Sequence, residues 1–249
     1  LPRLRGDMHM HSTVSDGRAS PEEIVVTAIE KELDFIAVTD HDSFLGSVRA
    51  RRAAEEMGAE LVVVLGSEVR TTKGDVLVYC ADHVPERVPR DPLELRDVMH
   101  EEGCLVVPAH PFDKRRKGIG ELVYEGGWDA LEVFNAYSDP WSNRRAEEAA
   151  RELGLPGLAN SDAHVPEAIG AAYNIVEVEE AAAEAILEAV RAGRVTPVPG
   201  RPGLGVYAST LAWSVERRLR RRGRGPSRLD YLDDAGLREY GEEMTGGRG

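Results

Sequence analysis

Along the first 200 residues, short apolar runs alternate with segments whose apolar residues recur at helical spacing. Apolar runs of strand length fall at residues 34–39, 60–65, 76–80, 104–107, 130–134, 155–160 and 174–178. Helix signals lie between most of them. Ser20-Pro21-Glu22-Glu23 joins an N-cap, a proline at the first helical position and a glutamate at the third, and predicts a helix to about Leu33. Ser43 opens a second, closed by Gly58; Asp91-Pro92-Leu93-Glu94 opens a third, ending at Gly103. Ser142 starts a fourth, stopped by Gly154, and Glu179 a fifth, stopped by Gly193. Strands alternating with helices imply βαβ units and a parallel sheet. Roughly seven such units, with no G-x-G-x-x-G after the first, favour an α/β barrel over a dinucleotide-binding sheet.

The pattern changes after Gly200. Leu211, Val215 and Leu219 recur at i, i+4, i+8 and predict an amphipathic helix from about Tyr207. Six arginines then fall within residues 217–224, and glycine and charge dominate to the end. We therefore expect a barrel over residues 1–200, and over residues 201–249 a helix followed by a flexible Arg/Gly-rich tail.

Composition narrows the function classes. Hydrophobic residues at 42% and charged residues at 30% suit a globular chain. No apolar run approaches the ~18 residues of a membrane span. The start has no apolar core of a leader peptide. Cys80 and Cys104 each lie in an apolar stretch without a disulfide framework, which predicts reduced core thiols in a cytoplasmic protein. The net charge of −13 argues against a broad nucleic-acid or membrane coat, though not against a nucleotide or nucleic-acid end held locally through metal.

The histidines carry the chemistry. Asp7-x-His9-x-His11 puts three ligand types on one face of an extended segment. Asp40-His41, Gly66-Ser67-Glu68 and Pro108-Ala109-His110-Pro111 each close an apolar strand, and Asp162-x-His164 follows another. In a parallel barrel these ends converge on one rim, where imidazoles and carboxylates together bind divalent metal.

These segments resemble the motifs of the PHP (polymerase and histidinol phosphatase) family. The opening motif is similar to Asp7-Met8-His9-Met10-His11-Ser12 with Ser15-Asp16-Gly17. Later ones are similar to Thr39-Asp40-His41-Asp42, Gly66-Ser67-Glu68-Val69, Pro108-Ala109-His110-Pro111 and Asn160-Ser161-Asp162-Ala163-His164. Glu132-Val133-Phe134-Asn135 and Asn143-Arg144 also resemble the small stand-alone members. The likeness runs over residues 6–200. It implies a distorted (β/α)7 TIM-like barrel and a metal-dependent phosphoesterase with up to three divalent ions. It assigns His9, His11 and Asp162 to a first metal, Glu68 as a bridge, His110 to a second, and Asp16, His41 and His164 to a third. The family usually has a further histidine some residues after the bridging glutamate. Here either Asp75 takes that place, or His83 does, or the second metal keeps a water.

Mixed His/Asp/Glu ligation suits Mn²⁺, Fe²⁺ or Zn²⁺, and an oxygen ligand from Asp75 tilts the second site toward Mn²⁺ or Mg²⁺. Clustered cations acidify water and neutralise a developing oxyanion, which is what phosphoester hydrolysis needs. Asp40 is expected to orient an imidazole from behind or to protonate the leaving group. Asn135 and Arg144 are the candidate substrate contacts. Lys114-Arg115-Arg116-Lys117 reads either as a steering segment or as a solvated loop. The expected substrate is a small phosphate ester: a nucleotide, a nucleoside bisphosphate or a short oligonucleotide end, with no membrane and no obligate protein partner. Two other classes compete. An amidohydrolase-type metallohydrolase commonly needs a carboxylated lysine at a strand end, and Lys73 sits in a turn-like Thr71-Thr72-Lys73-Gly74. A non-catalytic scaffold of a ribonuclease P or polymerase complex tolerates eroded ligands and favours basic surfaces.

Overall fold

A computed structural model of the chain describes residues 1–222. β1 (Arg3–Asp7), β2 (Phe35–Val38) and β3 (Val62–Arg70) pair in parallel through the crossover helices α1 (Pro21–Glu30) and α2 (Leu45–Glu56). The direction then changes. A turn closed by the Thr71 N–H on the Gly74 carbonyl (3.1 Å) leads into β4 (Asp75–Cys80), antiparallel to β3. β5 (Leu105–Pro108), reached through α3 (Pro92–Glu101), is antiparallel to β4. β6 (Leu131–Asn135) and β7 (Gly157–Asn160) pair in parallel around α4 (Pro140–Leu153). β8 (Tyr173–Glu177) runs antiparallel to β1, and β9 (Val195–Val198), after α5 (Ala183–Arg191), runs antiparallel to β8. The expected α/β barrel is present in distorted form, but its sheet is mixed rather than parallel. The reversal has a functional result: because β4 runs downward, its first residue, Asp75, stands at the same rim as the ends of β2 and β5.

The ladder order is β5-β4-β3-β2-β1-β8-β9, with β6-β7 as a separate pair. Side chains seal the two seams. Between β5 and β6, Asp129 N–H donates to the Val106 carbonyl (3.1 Å), Val106 N–H donates to the Asp129 carboxylate (2.8 Å), and His110 N–H donates to the Glu132 carboxylate (2.7 Å). Between β7 and β8, the Asn174 side-chain amide accepts from Ala159 N–H and donates to Ala159 O, both at 2.9 Å, in place of a backbone peptide.

Alternation along the strands explains the layers. Phe35, Ala37, Val64, Leu77, Tyr79, Leu105 and Val107 form one buried cluster, into which α5 packs Ile186, Leu187 and Val190. Ile36 and Val38 face the other way and meet α1 and α2 through Ile24, Ala28, Ala50 and Ala53. Val76, Val78, Cys80 and Val106 meet α3 through Leu95 and Met99.

Several expectations change. β9 carries Pro197 and sits at a sheet edge, where a missing N–H is tolerated; that proline masks its strand signal. The cysteines are not free thiols: Cys80 and Cys104 form a disulfide with S–S 2.06 Å. Both lie in apolar stretches, but antiparallel pairing of β4 with β5 brings the end of one against the start of the other. The final described helix, α6 (Leu204–Arg222), starts earlier than Tyr207. Its apolar stripe is not its packed face: Leu211, Val215 and Leu219 are 67%, 48% and 61% exposed. Val206 and Trp213 pack on the barrel instead. Arg217, expected to open a free tail, lies within this helix and reaches the barrel rim. The tail predicted after it falls outside the described residues.

Candidate metal centre

Five strand ends and loops bring the donors together. β1 stops at Asp7, and the next residues run on across the rim, where Met10 bridges Ala163 and the Thr39 N–H donates to Met10 O. His9 and His11 thereby point into one cavity and Met8 and Met10 into the apolar layers. β3 does not end at Glu68 as expected but continues to Arg70, and His41 bridges Glu68 from the end of β2. His110 and Asp162 follow β5 and β7 with φ of 32° and 50°, a left-handed conformation that non-glycine residues adopt at a cost of ~1–3 kcal/mol. Strain at two prospective ligands marks a site whose surroundings fix them there.

Donor spacing tests the fit to a cation. His9 Nε2 and His11 Nε2 are 3.3 Å apart. Glu68 Oε2 lies 3.4 Å from the former and 3.3 Å from the latter. Asp162 Oδ1 lies 3.6 Å and 3.3 Å from them. A cation ~2.1 Å from each of four tetrahedral donors keeps those donors ~3.4 Å apart. These five spacings match that separation, and His9, His11 and Glu68 together form one group able to hold an ion. Glu68 turns its other oxygen away: Oε1 is 3.0 Å from His110 Nε2, and Asp75 completes a second group with these two. Asp75 Oδ1 and His110 Nδ1 are buried without hydrogen-bond partners. A third group gathers on Asp16 Oδ1, with His164 Nε2 at 3.2 Å and His41 Nε2 and His11 Nδ1 each at 3.8 Å. His83 is elsewhere, paired with Asp82 and Glu102. Of the alternatives for the replaced histidine, only Asp75 stands at the cluster.

Protons occupy the centre where cation charge would otherwise lie. Burial pushes against charge on Glu68, but attraction to His9 and hydrogen bonds from His11 and His110 outweigh it, and its carboxyl is held well below the usual range. Burial, then repulsion from Glu68, pushes Asp75 up to about 7. Burial opposes protonation of His11, but hydrogen bonds with Asp162 and Glu68 raise it to about 9. Burial lowers His41 to about 3, and burial with the nearby His11 charge lowers His164 to about 4, so both are neutral donors.

The surrounding residues fix the ligands. Glu132 is fully buried at a strand position between Leu131 and Val133. It takes His9 Nδ1 at 2.9 Å, His110 N–H at 2.7 Å and the Asn160 amide at 2.9 Å. A charged residue inside an apolar strand was the sequence signal for it. Asn135 is also fully buried and donates to the carboxylates of Glu132 and Asp162. Arg144 points to solvent and pairs with Glu148, away from the donors. Asp40 orients no imidazole. It accepts from Ser12 and Ser15, through backbone N–H and hydroxyl of each, and so ties down the loop that carries Asp16. Two glycines permit this: a Cβ at Gly46 would fall 1.8 Å from Asp40 Oδ2, and one at Gly17 would fall 2.0 Å from the His11 carbonyl. Two arginines also arrive, Arg116 from the segment read as either steering or solvated, and Arg217 from the arginine run. Arg116 pairs with Asp162, and Arg217 of α6 pairs with Asp16.

A family model described as PHP-associated matches residues 140–195. An uncharacterized protein of Methanocaldococcus jannaschii is 30% identical over 146 residues, which is 54% of this chain and 83% of that protein. The chain belongs to the PHP family. Other matches are more local. A 5'-3' exoribonuclease of Haemophilus influenzae is 43% identical over 65 residues, 26% of this chain and 23% of that enzyme. The chain thus spans less than a quarter of its length. Among solved structures, a two-domain Bacteroides vulgatus protein containing a predicted PHP-like metal-dependent phosphoesterase superposes with a TM-score of 0.67 at 21% identity, over 80% of this chain and 65% of that one. It shares the PHP barrel. Among the described residues no helix is long and apolar enough to cross a membrane.

Proposed function

We propose that this PHP protein is a metal-dependent phosphoesterase with up to three divalent ions of the Mn²⁺, Zn²⁺ or Fe²⁺ class, Mg²⁺ included, acting on a nucleotide, a nucleoside bisphosphate or a short oligonucleotide end. The observation that carries the reading is Glu68, which offers one oxygen to the His9/His11/Asp162 group and the other to His110 and Asp75. When bound, adjacent divalent cations supply Lewis acidity toward phosphoryl oxygens and toward water. The chain's own residues do the rest. Glu132 holds a proton at His9 Nδ1 and leaves Nε2 facing the cluster. Asn135 and Asn160 donate to Glu132 and keep its carboxylate from turning. Asp40 holds the Ser12–Ser15 turn, and with it Asp16. The nucleic-acid side of the reading draws on the Haemophilus influenzae exoribonuclease relative. The amidohydrolase alternative loses support, because Lys73 is exposed in the β3–β4 turn.

The test is release of phosphate and nucleotide from a panel of mononucleotides, 3',5'-bisphosphates, sugar phosphates and short oligonucleotides with added Mn²⁺. Turnover of a subset, lost with chelator and restored by Mn²⁺, is the expected result. Protein that carries metal and releases nothing from any member would overturn it.

A further inference from the structure

The three donor groups are chemically unequal. The first offers two imidazoles, His9 and His11, beside the Glu68 and Asp162 carboxylates, and the third gathers His11, His41 and His164 on Asp16. The second, Glu68, Asp75 and His110, offers two carboxylates to one imidazole. Sharing sharpens the contrast. His110 also stands within reach of His9 and Asp162, and a ring given to them would leave the second group its carboxylates alone. No other imidazole makes up the difference. The chain has seven histidines, and those outside the cluster are paired elsewhere, His83 with Asp82 and Glu102 and His100 with Asp129.

The fold builds this oxygen-rich corner by turning the chain back on itself. Asp75 opens β4. Its N–H donates to the Lys117 carbonyl (2.9 Å), and its carbonyl accepts from the N–H of Ala109 (3.1 Å), the residue before His110. Gly74 permits the close approach: its φ is 148°, and a Cβ there would fall 2.5 Å from the Lys117 carbonyl oxygen. Asp75 is left only 5% exposed, with Oδ1 buried and without a hydrogen-bond partner. Such an oxygen is costly to bury unless a cation meets it. Oxygen donors suit the hard ions Mn²⁺ and Mg²⁺, whereas imidazoles suit Zn²⁺ and iron. Divalent Mn is also held less tightly than Fe or Zn by the same donors, and Mg²⁺ keeps several of its waters.

We infer that the centre sorts its ions: Zn²⁺- or Fe²⁺-class ions reside on the two histidine-rich groups, and an exchangeable Mn²⁺ or Mg²⁺ occupies Glu68, Asp75 and His110; the inference rests on the three-ion part of the proposed function. Free Mn²⁺ or Mg²⁺ then controls the centre, because the second ion comes and goes while the other two stay.

The experiment uses the full chain, stripped with chelator and reloaded with Mn²⁺. Zn²⁺ is titrated in, released Mn²⁺ is followed by electron paramagnetic resonance, and bound metal is measured by elemental analysis. Wild type should release its Mn²⁺ in two phases, two ions first and the last at a free Zn²⁺ at least roughly tenfold higher. Asp75→His gives the second group another imidazole and should merge the phases. Asp75→Asn keeps the shape without the charge; it should lower bound Mn²⁺ by one ion and abolish the late phase, and it carries the test where the histidine variant does not fold. Release of all Mn²⁺ from wild type in one phase overturns the inference, as does wild type that binds fewer than three Mn²⁺ or a late phase that survives in either variant. None of these readings uses turnover. Two-phase release from a protein that hydrolyses no member of the panel leaves the sorting intact and sinks the phosphoesterase. One-phase release from an active enzyme does the reverse.

Discussion

His9, Glu68 and Asp162 are at most 1% exposed and stand on or next to strands, whereas His41 and His164 are only partly buried and Asp16 rides on a loop. The inner donors are backed by Glu132, Asn135 and Asn160, all buried, all hydrogen-bonded to one another or to ligands. The outer donors are backed by a serine turn held by Asp40 and by a helix from outside the barrel ring. A cavity built on strands is set before substrate arrives. A cavity whose wall is a docked helix depends on that docking. The difference suggests a division of labour: the inner side fixes cation geometry, and the outer side meets the substrate.

Substitutions can break or sharpen that contrast. Glu68→Ala removes the oxygen pair shared by two donor groups, and the expected outcome is no measurable chelator-sensitive turnover in protein whose circular dichroism is native. Glu132→Gln keeps the shape but loses the charge behind His9; it should weaken Mn²⁺ affinity or turnover by about 10–100-fold, read by titration and steady-state kinetics. Asp16→Asn should act on the outer side alone, lowering retained metal by one ion and turnover by roughly tenfold or less, on the scale of one charged hydrogen bond, with inner occupancy intact. If Asp16→Asn empties the whole centre, the two sides are not separable. Reduction of the Cys80–Cys104 bond should touch activity least. It closes a loop of sequence separation 24, so its loss should cost about 3 kcal/mol of stability, seen as a lower melting temperature in dithiothreitol at unchanged initial rate.

Much of this cluster was legible in the chain because most of its donor side chains lie next to apolar strands. Glu68, His110 and Asp162 each sit beside such a run, His9 and His11 were marked by their alternate spacing after Asp7, and the barrel expectation brought them to one rim. Asp75 was readable only as a puzzle. Its place depends on β4 running antiparallel, and strand direction leaves no mark in hydrophobic spacing. The disulfide was missed for the same reason. Glu132 was visible as a charge inside an apolar strand but was quoted only for its likeness to a motif. Arg217 was hidden by composition, since an arginine run after a glycine-rich break reads as a solvated tail. The α6 stripe misled in a different way. Leu211, Val215 and Leu219 have helical spacing, but the helix docks through Tyr207, Thr210, Trp213 and Arg217, a face whose polar contacts no apolar pattern reports.

The seams of the ring lead to a last consequence. Where β5 meets β6 the closure is made largely by Asp129 and Glu132, and where β7 meets β8 by Asn174, instead of by a continuous ladder. The donors straddle the first of these joins: His110 hangs from one side of it and is gripped by Glu132 on the other. An ion held there by His110 would tie the two sides of that join together. Occupancy and stability would then be linked, so that each tenfold rise in free cation above its dissociation constant should raise the free energy of unfolding by about 1.4 kcal/mol.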